Sequence, residues 1–242
     1  MDESLRERTA IITGGGSGLG KAIAAAYAQA GVNVVIAGRS LSRLSVTADE
    51  LGTQVQAIQA DVTDENQVQT LFKESASAHG RIDIVVNSAG SFGRSIVAEH
   101  ALEDWNRIVS VNLTGTFLCC REAFRHMTAT GGGRIINIGS LAAHRPRPES
   151  AAYSASKHAV LGLTKSLALD GREHGIVVSC LNPGHTGVER VVASQEGDGA
   201  PDAMMDPADV GRTALLMATL PATVNLLEAT VLPSMQPYLG RS

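Results

Sequence analysis

Short runs of Val, Ile and Ala recur along the chain, each followed by a stretch patterned as a helix. No other feature limits the possible folds so strongly. The runs are Thr9–Thr13, Val32–Ala37, Val55–Ala60, Ile82–Val86, Arg134–Ile138 and Ile176–Leu181. Helical patterning fills the gaps: Lys21–Ala30 (stopped by Gly31), Ser40–Leu51, a stretch capped by Asp64 and ending near His79–Gly80, one long helix from Leu102 to Met127, and a helix entered near Ser150. Strands that alternate with helices of about ten residues or more pair in parallel, because each helix returns the chain across the sheet in a right-handed crossover. The expectation is an α/β fold, a doubly wound parallel sheet of about seven strands flanked by helices.

At 242 residues the chain has a length at which such folds remain undivided. No repeat, low-complexity tract or linker breaks it, so residues 1–242 are expected to form one domain. Aromatic residues make up only 3%, so the core must come from Ala, Val, Ile and Leu, which suits helices packed on a parallel sheet. A net charge of −4 leaves no basic footprint for nucleic acid. The charged start, Met1 to Arg6, reaches a strand by Thr9 and leaves no room for a signal peptide. No apolar run approaches the roughly 18 residues of a membrane span. Cys119, Cys120 and Cys180 are odd in number and lie in apolar runs, which reads as reduced core thiols of a cytoplasmic protein.

Two stretches carry chemistry. The first is Thr13-Gly-Gly-Gly-Ser-Gly-Leu-Gly20, placed after a strand and opening a helix. Glycines let the backbone turn tightly and approach a pyrophosphate, whose charge then faces the helix N-terminus. Gly14, Gly16, Ser17, Gly18 and Leu19 are the candidate cofactor contacts, with Ser17 offering a further hydrogen bond to the phosphate. A dinucleotide site expects an acid about 20 residues on to hold the ribose 2′-hydroxyl. The second strand instead ends Ala37-Gly38-Arg39-Ser40, with no acid and an Arg, which favours a 2′-phosphate and hence NADP over NAD.

The second stretch runs from Ser140 to Lys157 and crosses a loop containing Pro146 and Pro148. Tyr153 and Lys157 are four apart on a helix, so they share a face about 6 Å apart along the axis. An ammonium near a phenol favours the phenolate, which makes the pair a proton-transfer device. Ser140 adds a hydroxyl able to hold a carbonyl or alcohol oxygen against the Tyr.

Taken in order, these residues resemble the short-chain dehydrogenase/reductase family. The likeness covers roughly residues 5–185 and is carried by the glycine run, Asp61-Val62, Asn87-Ser-Ala-Gly90, Asn112 in Val111-Asn-Leu-Thr-Gly115, Ser140, Tyr153-Ser-Ala-Ser-Lys157 and Asn182-Pro-Gly184. It implies a Rossmann fold in which one domain binds the dinucleotide and performs the chemistry. It also implies hydride transfer between NADP and a carbonyl or secondary alcohol, with no metal. Tyr153 would be general acid or base, Lys157 would activate it and bond the nicotinamide ribose, and Ser140 would position the substrate oxygen. Asn112 would hold a water linking Lys157 to solvent. Asp61, with Val62 beside it, would meet the adenine, Asn87 and Gly90 the adenosine-ribose side, and Pro183 with Gly184 the nicotinamide.

Three departures stand out. The fourth-strand motif has Ser88 where many members have a second Asn. Val188 stands where a Thr often holds the nicotinamide carboxamide, with Thr186 nearby. The tail, Val224 to Tyr238, lacks the usual Val-Asp-Gly-Gly and is similar to a branch of reductases and hydroxy-acid dehydrogenases ending Pro-x-x-Gln.

Two other functions compete. A non-catalytic, NADP-binding redox sensor would have no use for the set Asn112, Ser140, Tyr153 and Lys157. An epimerase or dehydratase of the extended branch would carry a tighter Gly-x-x-Gly-x-x-Gly spacing. Residues 185–206 leave the carboxyl end of a strand as a long irregular stretch, and are expected to be a substrate loop. Ser91–Arg94, Leu141–Arg147 and that loop are the pocket candidates, and Arg94, His144, Arg145 and Arg147 would suit an acidic substrate. The helices at 102–127 and 150–170 are apolar beyond one stripe, as in Phe117-Leu-Cys-Cys120 and Ala159-Val-Leu-Gly-Leu163. Such helices need a second partner, which points to a homodimer or dyad-symmetric tetramer.

Overall fold

A computed structural model describes residues 5–188 and 204–236 of the chain. The apolar runs become seven strands: β1 (Thr9–Thr13), β2 (Asn33–Gly38), β3 (Val55–Gln59), β4 (Ile84–Asn87), β5 (Gly133–Ile138), β6 (Ile176–Pro183) and β7 (Glu228–Val231). They form one sheet in the order β3-β2-β1-β4-β5-β6-β7, and every pairing is parallel. Between them lie α1 (Gly18–Gln29), α2 (Leu41–Leu51), α3 (Glu65–His79), α4 (Leu102–Val109), α5 (Gly115–Thr130), α6 (Ala151–Asp170) and α7 (Pro207–Thr219).

All five residues of β1 are buried, and their side chains divide between two cores. Ala10 and Ile12 face α1 and α7, with Ile23, Ala24, Tyr27, Val210 and Ala214. Ile11 faces α3 and α5, with Val68, Leu71, Phe72, Ala123 and Met127. A strand sandwiched this way has no face to give to water, which is why its sequence is apolar at successive positions. Each buried Ile or Val contributes about 1.5–3 kcal/mol from its apolar surface. On the first face, α1 and α7 meet closely, since a Cβ at Gly211 would lie 2.7 Å from the Ala22 carbonyl oxygen. There the Tyr27 hydroxyl donates to the Ala214 carbonyl at 3.0 Å.

The sequence-based boundaries hold to within a few residues, with two differences. Asp64 does cap α3, accepting from Asn66 and Gln67 N–H groups at 2.9 and 3.2 Å. The helix expected as one piece from Leu102 to Met127 is instead interrupted by a π turn at Ser110–Thr114. A π turn accommodates one extra residue and is common at functional sites. α7 is the second difference: the sequence reading assigned no helix after residue 206, although Asp206 accepts from Ala208 N–H at 2.8 Å and Pro207 occupies the first turn.

The strand order reverses between β1 and β4, so the loops leaving their carboxyl ends diverge to opposite faces. The crevice so opened is where open α/β sheets hold ligands.

Candidate active site

The crevice is closed at one end by the glycine run. Gly14 has φ of +70°, and a Cβ there would lie 2.9 Å from Ala89 Cα. At Gly20 a Cβ would come within 2.2 Å of the Gly14 carbonyl oxygen, so α1 starts directly against the loop. The Thr13 hydroxyl accepts from Ser88 and Ala89 N–H groups, each at 3.1 Å, and ties the end of β1 to the segment after β4. Ser17 precedes α1 in extended conformation and its side chain caps no helix N–H, so its hydroxyl remains for another partner. Gly18 is also left-handed, at φ +51°, and Val188 Cγ1 lies 3.5 Å from its Cβ position. Leu19 packs on the core, and the Gly16 carbonyl accepts from Thr47 at 3.3 Å.

Arg39 lies past the end of β2 with an exposed side chain, while its carbonyl accepts from Gln59 at 2.8 Å. One turn on, Arg43 lies against the same loop, its Cγ 3.5 Å from the Cβ position of Gly16. The sequence reading missed Arg43, although its place one turn beyond Arg39 is the signal that finds it. Asp61 uses Oδ1 to accept from Thr63 N–H and hydroxyl at 2.9 and 2.8 Å, which leaves Oδ2. Val62 is buried against Gly115, where a Cβ would lie 2.7 Å from its Cγ2. Asn87 is buried and donates to Asn137 Oδ1 at 2.8 Å, while its Oδ1 has no partner among the described residues. Gly90 is exposed, and its Cβ position is 3.7 Å from Asn112 Oδ1.

Across the crevice, α6 presents Tyr153 and Lys157. The Lys157 ammonium is 5.8 Å from the centre of the Tyr153 ring. It donates to the Ile138 carbonyl at the end of β5 at 2.7 Å. Lys157 is only 6% exposed. A lysine is almost never this buried without a partner, and one carbonyl leaves two of its three donors for other acceptors. Ser140 follows β5; its N–H donates to Asn182 Oδ1 and its hydroxyl accepts from Ala142 N–H, both at 3.1 Å. The hydroxyl proton is then left to donate.

Asn112 sits in the π turn, 1% exposed. Its Oδ1 accepts from Ser91 N–H at 2.7 Å, and its Nδ2 donates to the Ser91 carbonyl at 2.9 Å and to Ser156 Oγ at 3.0 Å. Ser156 in turn donates to the Tyr153 carbonyl at 2.7 Å. The Asn112 side chain therefore fastens the segment after β4 to the second turn of α6.

On the third side, Pro183 ends β6 and Gly184 N–H donates to Val231 O at 2.8 Å. The atypical tail has a structural use here. Gln236 Oε1 accepts from His185 N–H at 2.8 Å, and a Cβ at Gly184 would lie 2.3 Å from the same oxygen. Thr186 donates to the Gly184 carbonyl at 3.1 Å and pairs with Met205. Both ends of the expected substrate loop are thus anchored; its middle, 189–203, lies outside the described residues.

Of the four candidate cations, His144 turns to Glu228, with Nε2 to Oε1 at 2.6 Å. The three cysteines are free and buried, and burial pushes the Cys180 thiol up to about 11 and the Cys120 thiol to about 12. Among the described residues no cluster of His, Cys, Asp or Glu is arranged to hold a metal ion. No helix among them is long and apolar enough to cross a membrane.

The chain is similar to a family described as short chain dehydrogenase, whose pattern matches residues 8–198. It is 33% identical over 230 residues to an uncharacterized oxidoreductase of Staphylococcus aureus strain MW2, covering 95% of this chain and 98% of that protein. Among solved structures, 3-ketoacyl-(acyl-carrier-protein) reductase from Brucella melitensis, complexed with NADH, superposes with a TM-score of 0.88 at 29% identity. The match covers 95% of this chain and 98% of that one. A variant of actinorhodin polyketide ketoreductase with NADPH superposes with a TM-score of 0.87 at 28% identity, covering 96% and 98%.

Proposed function

The chain belongs to the short-chain dehydrogenase family of oxidoreductases, and from that premise we propose that it uses NADP to interconvert a carbonyl and a secondary alcohol, with Tyr153 as the proton donor and acceptor. The observation that carries this reading is the buried, incompletely satisfied Lys157 ammonium beside Tyr153, across from a glycine loop with no room for a Cβ at Gly14, Gly15 and Gly20. That crevice fits a dinucleotide. Gly14, Gly16, Ser17, Gly18 and Leu19 would hold the pyrophosphate, Arg39 the 2′-phosphate, Asp61 and Val62 the adenine, and Asn87 and Gly90 the ribose beside it. Pro183 and Gly184 would line the nicotinamide.

The bound nicotinamide supplies or accepts the hydride. The rest of the chemistry falls to the protein. In reduction, Ser140 donates to the carbonyl oxygen while Tyr153 delivers its phenolic proton as negative charge builds there. Lys157 stabilises the resulting phenolate, since an adjacent cation favours the charged form. Asn112 acts by fixing α6 against the segment after β4, so that Tyr153 and Ser140 keep one geometry. In oxidation the same groups act in reverse, with the phenolate as base.

The proposal extends to residues 1–242 as one functional domain, to a cytoplasmic setting and to a homodimer or tetramer. Leu102, Trp105 and Phe117 on α4 and α5 are 65, 38 and 41% exposed, which gives those helices apolar surface for a partner. The experiment is a spectrophotometric screen at the nicotinamide absorbance, with NADPH and NADP, against ketones, keto acids, sugars and hydroxy acids. Turnover of at least one carbonyl or alcohol is expected; dinucleotide binding without turnover of any would favour the sensor instead.

A further inference from the structure

The substrate side of Tyr153 is built from two loop segments tied together. Phe92 meets the Tyr153 ring edge-on, with centres 5.2 Å apart. Arg94 follows two residues later, and Ser95 N–H donates to the Glu149 carbonyl at 2.9 Å. That bond joins the Arg94 segment to the segment carrying Arg147.

Arg147 is held more firmly than an exposed loop residue needs to be. It stands between Pro146 and Pro148, whose rings fix their backbone. Its N–H donates to Ser150 Oγ at 3.2 Å, and its carbonyl accepts from the same hydroxyl at 2.6 Å. Glu149 adopts φ of +61°, one of two non-glycine residues with positive φ among those described. A strained backbone of this kind persists only where the surroundings enforce it, and such strain clusters at functional sites. The guanidinium Nη2 lies against His185 Nε2, so one of its five donors is spent on the ring and its plane is oriented.

Arg94 and Arg147 therefore lie one and two residues from the bond that joins their segments. Burial first, and then the Arg94 charge, hold the Arg147 pKa below its ordinary value, while Tyr153 acts the other way. Burial, and after it the Arg147 charge, likewise hold His185 below the usual imidazole range, which keeps the ring a neutral acceptor. Among the described residues neither arginine forms an ion pair, although Glu149 is two positions from Arg147. His144, the third candidate cation nearby in sequence, is taken by Glu228. Two like charges on segments joined to each other next to the Phe92–Tyr153 contact, with no ion-pair partner among the described residues, suit an anion brought from outside.

We propose that Arg94 and Arg147 form an anion-binding subsite beside Tyr153, and that the substrate is a small carbonyl or alcohol compound carrying a carboxylate or phosphate. This rests on the oxidoreductase reading above. The anion would fix which end of the molecule faces Tyr153 and Ser140. A charge-assisted hydrogen bond is worth about 1.5–3 kcal/mol, or roughly 10- to 150-fold in affinity.

The test has a kinetic arm and a binding arm. With NADPH, 2-oxo-, 3-oxo- and 4-oxopentanoate are each compared with their methyl esters. At least one acid should exceed its ester roughly tenfold or more in kcat/KM, and Arg147→Gln or Arg94→Gln should collapse that acid-to-ester ratio toward one. Separately, calorimetry of the NADP-loaded protein with pentanoate, propyl phosphate and neutral pentanamide should detect the anions and not the amide, with binding lost in Arg147→Gln. The preferred anion distinguishes carboxylate from phosphate. Esters reduced as well as acids, or ratios indifferent to both arginines, would overturn the subsite while leaving the reaction intact. Arginine-dependent anion binding without turnover of any compound would uphold the subsite and count against the reaction. The absence of both turnover and anion binding would overturn the proposal.

Discussion

The two sides of Tyr153 are built on opposite terms. Toward the sheet, Asn112, Ser156 and Lys157 are buried, and each side chain is bonded to another part of the protein. Toward solvent, Arg94 and Arg147 are exposed and without an ion pair among the described residues. The inner side is assembled by folding, because leaving its polar groups unmet would cost stability. The outer side has its charge unanswered, which costs little in water and makes it responsive to a ligand. On the proposed reading, catalytic geometry and substrate choice are thus placed on parts of the molecule that tolerate change very differently.

The largest effect should come from the phenol shared by the two sides. Tyr153→Phe keeps the ring packed on Phe92 and removes only the transferable proton. Turnover should fall about 10²- to 10⁴-fold, the usual contribution of a general acid–base group. Cofactor affinity should stay near wild type by calorimetry. Near-full activity on a proven substrate would show that Tyr153 is not the proton donor.

The contrast itself is broken by cutting the inner network. Asn112→Ala leaves the part-buried Ser91 N–H and carbonyl without their side-chain partner and the Ser156 hydroxyl with only its bond to the Tyr153 carbonyl, which costs about 1–3 kcal/mol. In a protein of this size each kcal/mol lowers the melting temperature by about 2–4 °C. Calorimetric melting should therefore drop by several degrees, with activity. Arg147→Gln, an outer-side change, should stay within about 0.5 kcal/mol of wild type in stability. Equal melting temperatures for the two variants would mean that the sides do not differ as described.

The same contrast decides what the sequence disclosed. Strands buried on both faces read directly as apolar runs, so the sheet was visible, and the glycine run marked the loop, where Gly14, Gly15 and Gly20 have no room for a Cβ. Tyr153 and Lys157 were found because helical spacing alone places them together. The π turn at Asn112 was invisible, because nothing in Ser110-Val-Asn-Leu-Thr114 breaks a helical pattern; within the bulge Asn112 bonds to Ser91 and Ser156, residues far from it in sequence. The brace from Gln236 to His185 joins residues 51 apart. No local pattern encodes such a contact, so the tail registered only as a departure. The four candidate cations also looked alike in sequence, and only the fold assigns His144 to Glu228.

Cofactor choice sharpens the comparison, because Arg39 is another exposed cation, proposed above to meet the 2′-phosphate. Gly38 leaves room beside it, with the nearest atom to its Cβ position, Leu44 Cδ2, at 3.7 Å. NADPH should bind several-fold tighter than NADH, toward the low end of the range for a charge-assisted bond because the site is solvated. Gly38→Asp with Arg39→Ala should reverse the order, since the carboxylate repels the 2′-phosphate and accepts from a 2′-hydroxyl. Arg43, beside the same loop, should soften the loss in Arg39→Ala alone. Tighter NADH binding by the wild type would assign Arg39 another role.

The smallest effect concerns His185, where the two sides meet. An ordinary imidazole titrates near about 6.5. In the folded protein burial holds His185 lower, and the Arg147 charge adds to it. Between the folded and unfolded values the unfolded chain binds more protons. The stability from keeping the ring neutral is therefore complete above about pH 6.5 and is lost as pH falls through the folded-state value. Arg147→Gln removes the second cause and leaves the first. The His185 midpoint, followed by the NMR shift of its ring carbon-bound proton, should rise in the variant and still remain below the ordinary value. A midpoint that does not move would separate His185 from Arg147. One that returned fully to the ordinary value would make charge, rather than burial, the dominant cause, and the His185 ring would belong with the solvent-facing side of the site.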